Sequence, residues 1–152
     1  MLTPHTASLI NQHGEEFYLT ILRGVMIQDM ERMSVLSVGD YDSSYTKIFI
    51  PFTVDARNPD GDPVTYLPPK QYAKSMEPEQ HWTLQADGDE AGRNTFVVKG
   101  EIPEACSLAE ARELYDGVFI ITTISTRDYG QPGMQHWEAS SRINERTGTN
   151  YD

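Results

Sequence analysis

The tripeptide Gln-His-Trp occurs twice in the chain, at residues 80–82 and 135–137, and histidine is the commonest metal ligand among side chains. His81 and His136 are two of four histidines, while Trp82 and Trp137 are the only two tryptophans. A metal site needs three or four converging ligands, and the spacing around these histidines does not supply them. Strand alternation instead turns each tryptophan toward a core and each histidine toward solvent. We therefore expect no metal site, and the different neighbours of the two triplets argue against an internal repeat.

The segment RNPDGD, residues 57–62, has the composition of a calcium-binding loop. Aligning Gly61 with the glycine of such a loop places Ala56 and Leu67 where the first and last carboxylates are required. The segment is therefore interpreted as a turn formed by Asn58, Asp60 and Gly61.

The usual sequence signatures of enzymes are missing from the chain. It has no glycine-rich phosphate loop, no Gly-x-Ser-x-Gly elbow and no His-Glu-x-x-His pair. Cys106, the single cysteine, has no evident histidine partner and is interpreted as a small buried hydrophobe. The sequence thus predicts no catalytic residue, no metal and no cofactor, and the protein is not expected to be an enzyme.

The charge balance excludes some classes of partner. Formal charge is −11, from 23 acidic and 12 basic residues among 152. Such a surface disfavours a sequence-specific reader of DNA and an anionic membrane, but it suits a passage through which DNA slides. A single cysteine fits a reducing compartment, no apolar run is long enough for a membrane span, and the first residues do not resemble a secretory signal.

Strands are the elements that must position these residues, because apolar side chains alternate with a period of two along most of the chain. In EEFYLTIL, Phe17, Leu19 and Ile21 share a face, and alternation resumes after Gly24, where a bend or turn is expected. In TKIFIPF, the proline at position 51 favours a strand end or an edge strand. Shorter strands are predicted in QHWTLQ, residues 80–85, at residues 95–101, and in QHWEAS, residues 135–140.

The strongest predicted strand lies in DGVFIITTISTRDYG, residues 116–130. Alternation places Val118, Ile120 and Ile124 on one face, and Phe119 and Ile121 make the first half apolar on both faces. A strand that is apolar on both faces is predicted to be central in its sheet.

One short helix is predicted at about residues 107–116. Ser107 is its N-cap, and Glu110 completes a capping box three residues later. Leu108, Ala111 and Tyr115 share its buried face, with Leu114 at the margin, and Gly117 is placed to end it. The residues therefore predict a small, mainly β domain with one short helix.

Loops take up much of the remainder. The stretch 56–80, with five prolines, is predicted to be a long loop inserted in a single β-rich domain, 1–141, followed by a polar C-terminal arm, 142–152. A second loop covers residues 126–135, and residues 85–94 form a hairpin connection. Exposed loop aromatics suit protein contacts, although the same side chains can fold back on the domain. The candidate interaction residues are Asp60, Asp62, Tyr66, Tyr72, Tyr129 and Gln131.

Three segments resemble small virion proteins of tailed bacteriophages. These segments are LINQHGEEFYLTILRGV, HWTLQADGD with FVVKGEI, and DGVFIITTISTRDYGQPGMQHWEAS. The similar proteins are minor capsid or head-tail joining proteins of the phage neck, and the last segment is loosely similar to head-closure (stopper) proteins.

The resemblance implies a small antiparallel β-barrel or sandwich with one short helix. It also implies a structural protein that forms a ring of six or twelve copies in the phage neck. The ring would lie between the portal or its adaptor and the tail terminator or tail tube, and it would help retain packaged DNA without sequence-specific binding. The expected location is the virion, after assembly from the host cytoplasm.

Two alternatives remain open at this point. One is a tail-completion (terminator) protein that caps the tail tube, and the other is a small β-barrel enzyme or ligand-binding protein with a preformed pocket. Within the connector hypothesis, we expect deletion of residues 58–78 to leave the domain folded and to block assembly.

Overall fold

The computed structural model describes residues 4–30, 45–86, 94–128, 130–131 and 134–142, with residues 29, 30, 45 and 142 described by their backbone alone. The described residues form ten strands and two helices. Their order along the chain is β1 (His5–His13), β2 (Glu16–Met30), β3 (Tyr45–Pro51), β4 (Asp55–Arg57), β5 (Thr65–Tyr66), α1 (Pro69–Lys74), β6 (His81–Trp82), β7 (Phe96–Lys99), α2 (Leu108–Leu114), β8 (Val118–Ile120), β9 (Thr123–Arg127) and β10 (His136–Arg142). A 3₁₀ turn, Pro78–Gln80, precedes β6. The predicted mainly β class is confirmed.

The main sheet is antiparallel and curls back on itself. Its path is β8-β7-β1-β2-β3-β10-β9, with β4 also paired to β2. The two ends of this path, β8 and β9, are consecutive in the chain, and the residues between them bond to both edges. The Ile121 amide donates to the Thr95 carbonyl at 2.9 Å, and the Thr122 amide donates to the Ser140 carbonyl at 2.8 Å. The sheet is therefore barrel-like. The prediction of one central strand is wrong, because the run is divided into β8, which pairs with β7, and β9, which pairs with β10, and these two strands are the ends of the sheet path.

A glycine bulge bends β2. Gly24 has φ of +91°, a conformation that side chains with a Cβ rarely adopt. The pairing of β1 with β2 slips at this point, since His5 pairs with Val25 but Thr6 pairs with Arg23. The bend expected after Gly24 is therefore a bulge within one continuous strand, and it lets β2 pair with β1 before the bulge and with β3 after it.

The inner core fills the curl of the sheet. Leu9, Leu22, Val25 and Ile48 are fully buried in it. Alternation predicted that Ile124 shares a face with Val118 and Ile120, which pack on the opposite side of the sheet. Ile124 instead packs against the inner core, together with Phe119 and Ile121. The prediction is wrong at this residue because the strand breaks at residues 121–122, where it passes from one neighbour to the other.

An outer core lies between α2 and the outer face of β1, β2 and β7. Ile10, Leu19, Ile21, Phe96 and Val98 point from the sheet into this core. Both faces of β1 are consequently buried, which explains its near-continuous run of buried residues from Ala7 to Asn11.

Helix α2 begins and packs largely as predicted. The Glu110 amide donates to the Ser107 hydroxyl at 3.2 Å, and the Ser107 amide donates to the Glu110 carboxylate at 2.9 Å. Ala111 is fully buried in the outer core, and Leu114 is 67% exposed. The helix ends in an extended C-cap at Tyr115 and not at Gly117, where a Cβ would lie 3.0 Å from the Lys99 side chain, a tight contact.

The interval 56–80 is more ordered than a long loop. It contains most of β4, all of β5, α1 and the 3₁₀ turn. Val64 and Tyr66 pack on the inner core, and Tyr72 and Pro78 are buried. The expectation that residues 58–78 can be removed without loss of the fold is therefore revised, because their side chains complete the core.

The remaining predictions concern Pro51, the 85–94 connection, the C-terminal arm and membrane spans. Pro51 ends β3, as expected of a proline at a strand terminus. The tip of the predicted 85–94 connection, residues 87–93, and residues 143–152 of the predicted arm lie outside the described residues. Within the described residues, no helix has the length and apolar character needed to span a bilayer.

Candidate functional site

The repeated tryptophans meet in one aromatic cluster. The ring centroids of Trp82 and Trp137 are 5.4 Å apart at 78°, and Tyr66 lies 5.1 Å from the first and 4.5 Å from the second. Phe52 lies 4.5 Å from Trp137 on the other side. The two indoles come from distant parts of the chain, so the cluster fastens β6 and the preceding segment to the barrel. The prediction that both tryptophans point to the core is confirmed.

The two histidines of the repeated tripeptide have separate partners. The Nδ1 atom of His81 lies 3.3 Å from the Thr65 carbonyl. The Nε2 atom of His136 lies 3.0 Å from a carboxylate oxygen of Glu138, and its Nδ1 lies 2.9 Å from the Met134 carbonyl. His81 thus contacts the neighbouring strand β5, whereas His136 contacts residues within or just before its own strand, β10.

Glu138 organises charges on the outer face of β3, β9 and β10. Its carboxylate lies 3.0 Å from His136, 3.5 Å from Arg127 and 3.6 Å from Lys47. The hydrogen bond from His136 lowers the pKa of Glu138, and the charges of Arg127 and Lys47 lower it further, against the opposing effect of burial. The Lys47 ammonium also lies 5.6 Å from the centroid of the Phe49 ring, within cation–π range. We call these five side chains the sheet face.

The exposed side of α2 has the opposite charge. Glu110, Glu113 and Asp116 are exposed, as are Leu114 and one cation, Arg112, and all five lie within seven consecutive residues. Hydrogen bonds from the Ser107 backbone and side chain lower the pKa of Glu110, which favours its charged form. We call these five residues the helix face.

A buried polar network ties the segment after β6 to the barrel. Asn11, which is 3% exposed, donates to the Thr83 carbonyl at 2.9 Å and to the Thr95 hydroxyl at 3.0 Å, and it accepts from the Thr83 amide at 3.0 Å. The Gln85 amide donates to the same Thr95 hydroxyl at 2.8 Å. The Asn11 carboxamide thus bonds to both the amide and the carbonyl of Thr83, as the backbone of a neighbouring strand would.

A small cavity of about 100 Å³ lies beside this network, between the β1–β2 turn and α1. His13 and Tyr72 line it, with their rings 5.5 Å apart and edge-to-face. The His13 Nε2 and the Tyr72 hydroxyl are buried without a hydrogen-bond partner in the described protein. Burial raises the pKa of Tyr72, and nearby Tyr18 and Glu79 raise it further, so the phenol stays protonated at neutral pH. Such a cavity has the size and polarity for a few ordered waters.

The predicted turn at residues 58–62 is confirmed. The Asn58 side-chain oxygen accepts from the amides of Asp60 and Asp62, both at 3.0 Å, and the Gly61 amide donates to the Asn58 carbonyl at 2.9 Å. Gly61 has φ of +91°, which the turn requires. Arg57 braces the turn from outside by donating to the Gly61 carbonyl at 2.9 Å.

Asp60 also lines an open groove of about 320 Å³. Tyr18, Glu79 and His81 contribute to its walls. Its acidic side chains and its aromatic and imidazole rings are suited to hydrogen bonding with a protein segment.

The predicted interaction residues do not form one surface. Asp60 and Asp62 are exposed in one turn, and Gln131 is exposed in another, between β9 and β10. Tyr66 is half-buried in the aromatic cluster and Tyr72 is 3% exposed, so both fold back on the domain, which was the alternative left open by their sequence. Tyr129 lies outside the described residues.

Cys106 is half-buried at the edge of the outer core, in keeping with a packing role. Burial raises the pKa of its thiol, and Glu110 and Glu104 raise it further. A raised pKa lowers the fraction of thiolate, the reactive form.

Sequence reasoning missed the sheet face and the Asn11 network. Each had a signal. Asparagine is uncommon inside strands, so Asn11 in the apolar run ASLINQ marks a buried polar contact. His136 and Glu138 stand two residues apart in a strand, which places both side chains on one face.

Comparisons with known proteins identify a family for this chain, but that family has no known function. No curated protein and no solved structure matches the chain significantly. A family model described as a family of unknown function (DUF6751) matches residues 3–142. The match spans the sheet, α2 and the residues of every site above, and the chain belongs to this family of unknown function.

Proposed function

We propose that the protein is a structural component of the neck of a tailed bacteriophage, where it forms a ring that joins the portal or its adaptor to the tail and helps to close the head. The observation that carries the proposal is the architecture: a small, curled antiparallel sheet with a capped helix against its outer face. This is the fold that the resemblance to neck proteins implies.

The location of the similar segments supports the proposal. They cover most of β1 and β2, then β7, then β8 to β10, which together form most of the sheet path, and they also include β6 of the separate two-stranded sheet. The resemblance therefore follows the structural scaffold of the protein.

The charge distribution also supports a structural role beside DNA. A chain with a formal charge of −11 repels the phosphate backbone, so DNA passes through such a ring without adhering to it. The exposed Asp60 and Asp62 turn and the exposed Gln131 are available for contacts with the neighbouring rings.

A small ligand-binding barrel is the alternative of another class, and the cavity beside Tyr72 is the observation that favours it. Pockets for small molecules usually measure about 300–1,000 Å³, whereas this cavity measures about 100 Å³. The cavity fits structural waters better than a metabolite. The groove beside Asp60, at about 320 Å³, reaches the lower end of the range for ligand pockets, but it is open and suits contact with a protein segment, so the structural role is preferred.

The test is where the protein resides in the particle of a phage that encodes it. A stop codon in its gene is expected to yield DNA-filled heads that lose DNA and fail to join tails, and cryo-EM of wild-type particles is expected to show the barrel in the neck. Recovery of the protein on free tails would instead support the terminator alternative. Absence of the protein from purified virions would overturn both neck roles.

A further inference from the structure

The sheet face is unusual in this acidic molecule because cations dominate it. Among the residues that the structure describes, Lys47 and Arg127 both lie near the carboxylate of Glu138, and His136 adds a charge when protonated. The side chains of Lys47, Arg127 and His136 remain 31%, 41% and 29% exposed, whereas Glu138 is 17% exposed. The more accessible charges of this face are therefore positive.

The helix face has the complementary composition. Glu110, Glu113 and Asp116 are exposed around Leu114, an apolar side chain that is 67% exposed. The apolar centre of the sheet face is Phe49. Its ring lies beside the Lys47 ammonium, and its centroid is 5.9 Å from that of the His136 ring. Each face thus has an apolar centre with charges around it, and the charges of the two faces have opposite sign.

The topology puts the two faces on different parts of the sheet path. Helix α2 covers β1, β2 and β7, while the sheet face is formed by β3, β9 and β10. A contact that joins two different faces of identical copies is heterologous, and repeating it closes a ring when the rotation permits.

We propose that the helix face of one copy packs against the sheet face of the next copy, with Leu114 near Phe49 and the carboxylates of α2 opposite Lys47 and Arg127. This proposal rests on the ring-forming function proposed above and names the lateral interface of that ring. Charges at the rim of such an interface guide encounter and fix orientation more than they add affinity. Self-association is therefore weak in isolation and weakens further as salt concentration rises.

Charge reversal on either face provides the test. In Lys47→Glu, residue 47 repels the helix face of the next copy, and in Glu113→Lys, residue 113 repels its sheet face. Each purified full-length variant is expected to self-associate at least about tenfold more weakly than wild type in sedimentation velocity over a concentration series. Lys70→Glu and Glu77→Lys are the matched controls, since they make the same charge changes at exposed positions outside both faces, and they are expected to behave as wild type.

A mixture of the two variants makes the test independent of folding defects. When Lys47→Glu and Glu113→Lys chains alternate, every interface again pairs opposite charges, so an equimolar mixture is expected to recover association that neither variant shows alone. Misfolded chains would not recover. Undiminished association of the single variants, or failure of the mixture to recover, would overturn the proposed interface.

Zero-length cross-linking of wild-type chains identifies the contact directly. Mixing ¹⁴N- and ¹⁵N-labelled chains distinguishes links between copies from links within one copy, and a Lys47–Glu113 or Lys47–Glu110 link between copies is expected. Absence of any such link between copies would overturn the proposed interface. A link from Lys47 to Glu145 within one chain would also overturn it, because it would mean that the chain's own C-terminal residues occupy the sheet face. The neck role is judged separately, by the presence of the protein in virions, so the two proposals fail independently.

Discussion

At the scale of single residues, buried polar side chains do structural work that apolar patterning does not reveal. Asn11 supplies both a donor and acceptors to the backbone of Thr83, and thereby secures the segment that leads from β6 toward β7. Tyr72 is equally buried but its hydroxyl has no partner among the described residues. The two side chains therefore differ in what their polar atoms contribute to stability.

Replacing Asn11 by leucine is expected to lower the free energy of unfolding by about 2 kcal/mol or more, because it leaves the buried Thr83 amide unpaired and the Thr83 carbonyl with only a long, 3.4 Å bond from the Thr95 hydroxyl. Tyr72→Phe is the matched control, since it removes only an unpartnered hydroxyl, and it is expected to change stability by less than about 1 kcal/mol. Urea denaturation measures both. Equal losses in the two variants would contradict the role assigned to Asn11.

Glu138 makes stability depend on pH. Because the folded-state pKa of Glu138 lies below its ordinary value of 4.5, the carboxylate contributes stability above that value and loses the contribution as pH falls through the folded-state pKa. Glu138→Gln is expected to cost about 1 kcal/mol at neutral pH, and the difference from wild type should shrink below about pH 4. A difference that stays constant from neutral to acid pH would show that the cost comes from packing and not from charge.

At the scale of elements, the segments that alternate cleanly were predictable, and the places where alternation breaks were not. Phe17, Leu19 and Ile21 share the face that alternation assigns to them, and the capping box of α2 follows from Ser107 and Glu110. The switch of Ile124 to the inner core depends on where the strand changes neighbours, which is a tertiary property.

Strand β1 and the interval 56–80 also could not be predicted from local sequence patterns. β1 escaped prediction because both of its faces are buried and its short run lacks a clear period, although Gly14, with φ of +64°, marks the turn into β2. The prolines of residues 56–80 predicted a loop, but Tyr66 finds its partners in Trp82 and Trp137, which lie far away in sequence.

Deleting residues 58–78 is therefore expected to abolish the fold, or to lower its stability by about 3 kcal/mol or more, because it removes Tyr66 from the aromatic cluster together with buried Tyr72. The double variant Asp60→Lys and Asp62→Lys keeps these side chains and is expected to unfold like wild type, since both aspartates are exposed. Thermal unfolding followed by circular dichroism compares them. A deletion variant as stable as wild type would show that the interval is an independent appendage.

At the scale of the whole molecule, the chain between β8 and β9 joins the two halves of the sheet. Residues 118–120 pair with β7 and residues 123–127 pair with β10, so neither half can open without disturbing the other. The inner core crosses both halves, since Leu9 of β1 and Ala139 of β10 belong to it.

Unfolding is consequently expected to be a single cooperative transition. Tryptophan fluorescence reports the aromatic cluster, and far-ultraviolet circular dichroism reports the whole sheet. The two probes are expected to give coincident urea curves. Separate midpoints would show that the halves unfold independently despite the shared strand.

The arrangement of β1 and β10 has a mechanical consequence. Each strand lies between two antiparallel neighbours, β1 between β2 and β7, and β10 between β3 and β9. Interstrand hydrogen bonds run perpendicular to the strands. A force along either strand therefore shears both of its hydrogen-bond ladders, so that many bonds bear the load together and do not break one after another. A wall built from such subunits would resist tension along these strands better than its modest size implies.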